Sequence, residues 1–138
     1  DFMKPSTVRE GVKWLPEKNI DVFFVTLNKA DKDYSPTTMY NDYSISESLF
    51  HWQSQSTTAE NSPTGQRYIH HRERGSKVLL FVREFKSDRM TGGAEAYTYL
   101  GTASYVKHEG SRPMNITWKL DRPIPAKFLK KTNKLAVG

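Results

Sequence analysis

Runs of β-branched and aromatic residues, separated by breaks rich in Gly, Pro, Asn and Ser, organise this chain and read as strands. Ile20 to Leu27 (IDVFFVTL) is bounded by Asn19 and Asn28 and is apolar on both faces from Val22 to Val25, which predicts a central strand. Leu49 to Gln55 (LFHWQSQ) alternates, with Phe50 and Trp52 on one face and His51 and Gln53 on the other. Lys77 to Phe85 (KVLLFVREF) is the strongest strand pattern. Tyr97 to His108 (YTYLGTASYVKH) alternates around Gly101, where a bulge or sharp bend fits, and Met114 to Leu120 (MNITWKL) is the last strand. Short connections between these last strands predict an antiparallel meander.

The remaining segments are less regular. Residues 1–19, with Pro5, Gly11 and Pro16, read as a leading segment with at most one helical turn. Thr38 to Ser48 has no clean period and predicts a short helix or turn carrying Met39, Tyr40 and Tyr43. Ser54 to Gly65 reads as a surface loop, Gln66 to Gly75 as one helical turn or a short extended piece, and Ser87 to Ala94 as a hairpin connection. Pro123 and Pro125 end the sheet, and Lys127 to Lys134 reads as a short helix within a basic tail, residues 126–138. The sum is a single domain over residues 1–138 with a mainly β (α+β) fold. Its expected form is a partly closed antiparallel β-barrel with one or two short helices.

Composition narrows the function classes. The chain has 138 residues, 21 Lys plus Arg against 15 Asp plus Glu, and a formal net charge of +6. Aromatics at 12% disfavour disorder, and surplus positive charge favours a polyanionic partner, most often nucleic acid. With no cysteine, disulfide scaffolds, thiolate zinc sites and cysteine nucleophiles are excluded. No apolar run approaches the roughly 18–20 residues that span a bilayer, and no signal-peptide pattern opens the chain, so the expectation is a cytoplasmic protein without membrane association. The chain begins at Asp1 without an initiator Met, as a fragment of a longer protein does.

Candidate chemistry gathers in a few places. Phe50 to Gln55 interleaves rings and amides, which suits a nucleic-acid base: rings stack, and Gln offers a donor and an acceptor together. Trp52, Gln53, Ser54 and Gln55 are therefore expected base or sugar contacts, against the plain alternative that Phe50 and Trp52 are core. Arg67, His70, His71, Arg72, Arg74 and Lys77 form a basic stretch around Tyr68; Arg67, His71 and Arg72 are expected phosphate contacts, or else a solvated charged face. Lys107 and Arg112, in and beside the turn HEGSRP with Lys119 and Arg122 following, are further phosphate candidates. The lysines after Asp121 add charge without sequence information.

Enzymatic motifs are thin. Glu84-Phe85-Lys86 matches the (D/E)-x-K element of Mg²⁺-dependent nucleases, with Asp21 or Asp42 as the second carboxylate such a site needs. Gly75-Ser76-Lys77 fails the phosphate-loop spacing, and no G-x-S-x-G marks a nucleophile. No catalytic residue, cofactor or metal site is assigned on these grounds.

Three long runs carry a family resemblance: DVFFVTLNKADKDYSPTTMYNDYSISESLFHWQSQS, TGQRYIHHRERGSKVLLFVREF and YLGTASYVKHEGSRPMNITWKLDRPIPAKFLKK. Over roughly residues 9–136 the chain resembles DUF3427, a domain found at the C-terminal end of bacterial superfamily 2 helicases that often carry a phospholipase D-like (PLD) nuclease domain. The resemblance implies a restriction or antiviral-defence setting, with helicase and nuclease domains on the same chain as partners. It also implies that ATPase and nuclease activity belong outside this region. Joined to the basic β domain, it makes a noncatalytic, target-recognising module for double-stranded DNA the expected function. The strand–turn–strand pattern is loosely similar to PUA- and SRA-like readers of modified bases, with Tyr40, Tyr43, Phe50, Trp52 and Tyr68 as walls of a base pocket. B3-like barrels, which read the major groove from loops, are the competing template. The other readings are the Glu84/Lys86 nuclease and a protein-interaction module docking on its own helicase.

Overall fold

The computed structural model describes residues 11–28, 42–85, 93 and 95–129. Its strands are β1 (Gly11–Leu15), β2 (Ile20–Asn28), β3 (Tyr43–Ser44), β4 (Leu49–Gln53), β5 (Lys77–Phe85), β6 (Thr98–Glu109) and β7 (Asn115–Leu120), with helix α1 (Pro63–Ile69) between β4 and β5. They form one seven-stranded sheet in the order β1-β2-β5-β6-β7-β4-β3. The mainly β expectation stands, and β5, β6 and β7 make the antiparallel meander. The edge strands β1 and β3 do not pair among the described residues, so the sheet does not close into a barrel.

Besides Tyr43–Ser44, which form β3 in a stretch expected as a short helix or turn, and α1, which begins at Pro63 inside the expected surface loop, two features depart from the sequence reading. Residues 11–15, expected in a leading segment with at most one helical turn, form β1 and pair antiparallel with β2. Such a strand is carried by its partner's ladder rather than by its own composition, which mixes Gly11, Lys13 and Trp14. The second is that β2 and β5 pair in parallel, from Ile20 opposite Lys77 to Asn28 opposite Phe85. A parallel pair needs a long crossover, and here that connection contains β3, β4 and α1. Flanked on both sides, β2 is an interior strand, as its two apolar faces require, but it lies one place from the edge rather than at the centre of the sheet.

One face of the sheet builds the core. Phe23, Val25, Phe50, Trp52, Val78, Leu80, Val82, Ile116, Trp118 and Leu120 point into it and are buried, and Tyr68 of α1, Ile124 and Phe128 pack over them. At its centre the Phe23 and Trp52 rings stack, 4.1 Å between centroids and 14° from parallel, while Tyr68 and Trp118 meet Phe23 edge-on. Gly101 takes a φ of 105° that a side chain would strain, and the β5–β6 register shifts beside it, fulfilling the expected bulge.

Helix α1 is only seven residues long, too short to hold itself, so its ends and packing decide its existence. Ser62 caps it: Oγ accepts from the Gly65 N–H at 3.0 Å, and Pro63 follows at the first helical position. Gly65 lies so close to the preceding loop that an added Cβ would stand 2.2 Å from the Ala59 carbonyl oxygen. The ambiguous stretch from Gln66 therefore resolves as helix through Ile69, and then as turn. Ala126–Leu129 form a second short helical segment, while the rest of the basic tail and nearly all of the 87–94 connection lie outside the described residues.

Candidate nucleic-acid interface

Alternation along β4 divides its side chains between two environments. Phe50 and Trp52 enter the core at 1% and 4% exposure, while Leu49, His51 and Gln53 face the opposite side of the sheet. Packed against Phe23, Tyr68 and Trp118, the Trp52 indole has no free face to offer a base. Tyr68 is also sealed, and burial, with the Asp21 charge adding and Arg67 opposing, pushes its phenol well above the usual tyrosine range. The expected pocket walled by Phe50, Trp52 and Tyr68 is thus filled by those side chains themselves. The physical reason is that a sheet covered only by short helical segments dries its inner face with its largest rings.

Other expected contacts also turn inward. Ser54 is buried; its Oγ accepts from the Met114 N–H at 2.8 Å and donates to the Gln55 carbonyl at 3.0 Å. Arg67 is locked bidentate onto Asp21, Nε and Nη2 each 2.8 Å from a carboxylate oxygen, and its guanidinium lies 4.2 Å from the Trp14 ring centroid. Burial disfavours its charge, but the hydrogen bond and charge of Asp21 outweigh that and raise its pKa. His71 is buried as well: Nδ1 donates to the Ser76 carbonyl at 3.1 Å and Nε2 accepts the Tyr105 N–H at 3.0 Å. Burial pushes its pKa down, partly opposed by the Ser76 bond, so it is held neutral and is no phosphate ligand. Arg72, Gln55, Lys107 and Arg112 are exposed, and Tyr40 lies outside the described residues.

Nor does the fold assemble the Glu84 carboxylate site. Asp21 pairs with Val78 across the β2–β5 register, six residues from Glu84 and therefore about 20 Å along the sheet. Asp21 also has its carboxylate filled by Arg67, Asp42 accepts from the Gln53 N–H at 2.8 Å, and Lys86 lies outside the described residues. Among the described residues no group of three or more His, Asp or Glu side chains has metal-site geometry.

What the fold does bring together is on the outer face of β3, β4, β7 and the end of β6. The Tyr43 and His51 rings stack at 4.6 Å and 15°. Next to them Gln53 Nε2 donates to Asn115 Oδ1 at 3.1 Å, a pair that leaves amide donors and acceptors on the same surface. His51 stands opposite Thr117 in the β4–β7 register, and Thr117 stands opposite Lys107 in β7–β6, so these side chains line one row. Lys119, exposed, is on the same side of β7, two residues from Thr117. Tyr43, His51, Lys107, Asn115 and Thr117 border a groove of about 340 Å³, lined also by Ile45, Leu49, His108 and Glu109. Of the expected contacts, Gln53, Lys107 and Tyr43 belong here. His51, Asn115 and Thr117 were not singled out, although the alternation of LFHWQ and NITWKL already put them opposite the core.

Fold and site together define a mainly β domain with one dry aromatic face and, on the outer side of β3, β4 and β7, an open polar surface. A family model described as Domain of unknown function (DUF3427) matches residues 3–131, and the chain belongs to that family. No curated protein matches it.

Proposed function

We propose that this domain is a DNA-recognition module, and that the outer face of β3, β4, β7 and β6 is its binding surface. The observation that supports this best is the row formed by the stacked Tyr43–His51 pair, the Gln53–Asn115 amides and Lys107. Rings give bases a stacking surface, amides read base edges, and lysines neutralise phosphates. An open sheet face admits an extended strand or a duplex edge without any rearrangement of the core. Lys119 on the same face, and Arg72, Arg74 and Lys77 beyond α1, extend the positive field. Among the described residues, Tyr43 and His51 are the rings through which a modified base would be read, since the deeper rings are enclosed. Its service to a helicase–nuclease on the same chain is what the resemblance to such proteins implies.

Fluorescence anisotropy with labelled duplex and single-stranded oligonucleotides, titrated against salt, tests the proposal. Each phosphate contact contributes about −0.9 (duplex) or −0.7 (single strand) to the slope of log K against log[salt]. A slope of at least about −2, reduced by H51A/K107A, is expected, whereas a flat salt response contradicts it.

A further inference from the structure

A regular strand sends residues three apart to opposite faces, yet Tyr105 and His108 meet, with the phenol oxygen 2.7 Å from Nδ1 of the imidazole. Tyr105 stands opposite Trp118 and Lys107 opposite Thr117, so the register shifts between them and Val106 is the extra, exposed residue of a bulge. Bulges re-aim side chains and concentrate beside functional sites. A third chain segment converges on the same ring: Glu60 Oε2 lies 3.1 Å from His108 Nε2. The Glu60 backbone is fixed by its N–H to Ser111 Oγ at 2.9 Å and by its carbonyl accepting from Gln66 Nε2 at 2.8 Å.

The protons in this chain have one arrangement when His108 is neutral. A carboxylate only accepts, so Nε2 carries the hydrogen toward Glu60; Nδ1 is then bare, and the Tyr105 hydroxyl donates to it. Hydroxyl, imidazole and carboxylate in that order form the relay by which enzymes activate a hydroxyl nucleophile. The Tyr105 backbone is pinned by its N–H to His71, and its side chain lines a cavity of about 410 Å³ with Ile69, Arg72 and Glu73. Glu73 pairs with His70, whereas the Arg72 guanidinium supplies that cavity with a group suited to a phosphate. Burial, with the Glu60 charge adding, holds the Tyr105 phenol above its ordinary range, so it is a protonated hydroxyl that needs a base to react.

We infer that Tyr105 is a nucleophile toward phosphodiesters, with His108 as its general base, Glu60 as the residue that positions the imidazole and Arg72 on the phosphate oxygens. Tyr105 Oη attacks phosphorus while its proton passes to His108 Nδ1. The bond from phosphorus to the leaving ester oxygen breaks, and the imidazolium returns the proton to that oxygen. The products are a phosphotyrosyl ester and a free hydroxyl, and no oxidant, reductant or other co-reactant enters.

The test uses bis(p-nitrophenyl) phosphate as the probe. A burst of p-nitrophenol approaching one equivalent per protein is expected, with the corresponding aryl phosphate on the Tyr105 peptide in mass spectrometry. Y105F removes both while keeping the wild-type circular dichroism spectrum. H108Q slows the burst by about 100-fold or more. E60Q slows it without raising the half-saturating probe concentration. No burst from the wild type, or an equal burst from Y105F, overturns the inference. A labelled oligonucleotide run in parallel separates this from the binding proposal. DNA that shifts in a native gel but never becomes covalently linked, with no burst from the probe, sinks the nucleophile and leaves recognition standing; a burst without DNA binding does the reverse.

Discussion

Replacing Trp52 by Ala separates a core indole from a ligand-binding one. The indole is 4% exposed, stacks on Phe23 and meets Tyr68 and Trp118 edge-on, so truncation empties a volume bordered by three other rings. Removing a buried Trp or Phe in such a setting costs about 3–5 kcal/mol. Set against a total stability of about 5–15 kcal/mol, the variant loses about a fifth or more of what holds it folded. For a chain of this size that lowers the melting temperature by roughly 10–20 °C. His51, one residue earlier but on the outer face, is part-exposed and stacks on Tyr43, and its Ala variant costs about 1 kcal/mol. Urea unfolding followed by far-ultraviolet circular dichroism measures both. A W52A midpoint equal to wild type, accompanied by lost DNA affinity, would refute the assignment of Trp52 to the core.

The other expectations rest on separate features. D21A leaves Arg67 without its carboxylate at 16% exposure and costs about 3–5 kcal/mol, of which adding R67M restores part; equal stability of D21A and wild type in urea counts against the pair's structural role. Because burial lowers the pKa of folded His71, its contribution is complete above about pH 6.5 and declines as pH falls through the folded value, where the unfolded chain takes the proton more readily. Melting temperatures from pH 8 to 5 therefore fall more steeply in wild type than in H71Q, and parallel curves contradict this. G65A drives a Cβ toward the Ala59 carbonyl and lowers the melting temperature, although Ala is the better helix former; an unchanged value means the loop yields freely. K107A and K119A each reduce the salt slope of DNA binding by about 0.7–0.9 and leave folding stability within about 0.5 kcal/mol.

Most of the sheet was legible because its strands carry their own signals. The double-faced apolarity of β2, the alternation of β4 and β7, and the glycine of the β6 bulge each follow from local chemistry. Strand β1 and the parallel β2–β5 pairing were not, because both depend on partners distant along the chain rather than on residues within the strand. The site was legible only in part. The pattern LFHWQ states that Phe50 and Trp52 oppose His51 and Gln53, but not which side is dry; rings suggested a base pocket where burial needed them more. Arg67 and His71 read as surface cations because nothing local announces Asp21 or the Tyr105 N–H as their partners. The Tyr105–His108 meeting was hidden for a related reason: at a spacing of three it exists only because Val106 bulges.

The binding surface is tested most directly by titrating the ¹⁵N-labelled domain with a short oligonucleotide and mapping amide shifts in heteronuclear spectra. Progressive, saturable shifts clustered at His51, Gln53, Lys107, Asn115 and Thr117 are the expected result. Shifts confined to Arg72, Arg74 and Lys77, or an unperturbed spectrum at saturating oligonucleotide, would contradict a binding role for the outer face of the sheet.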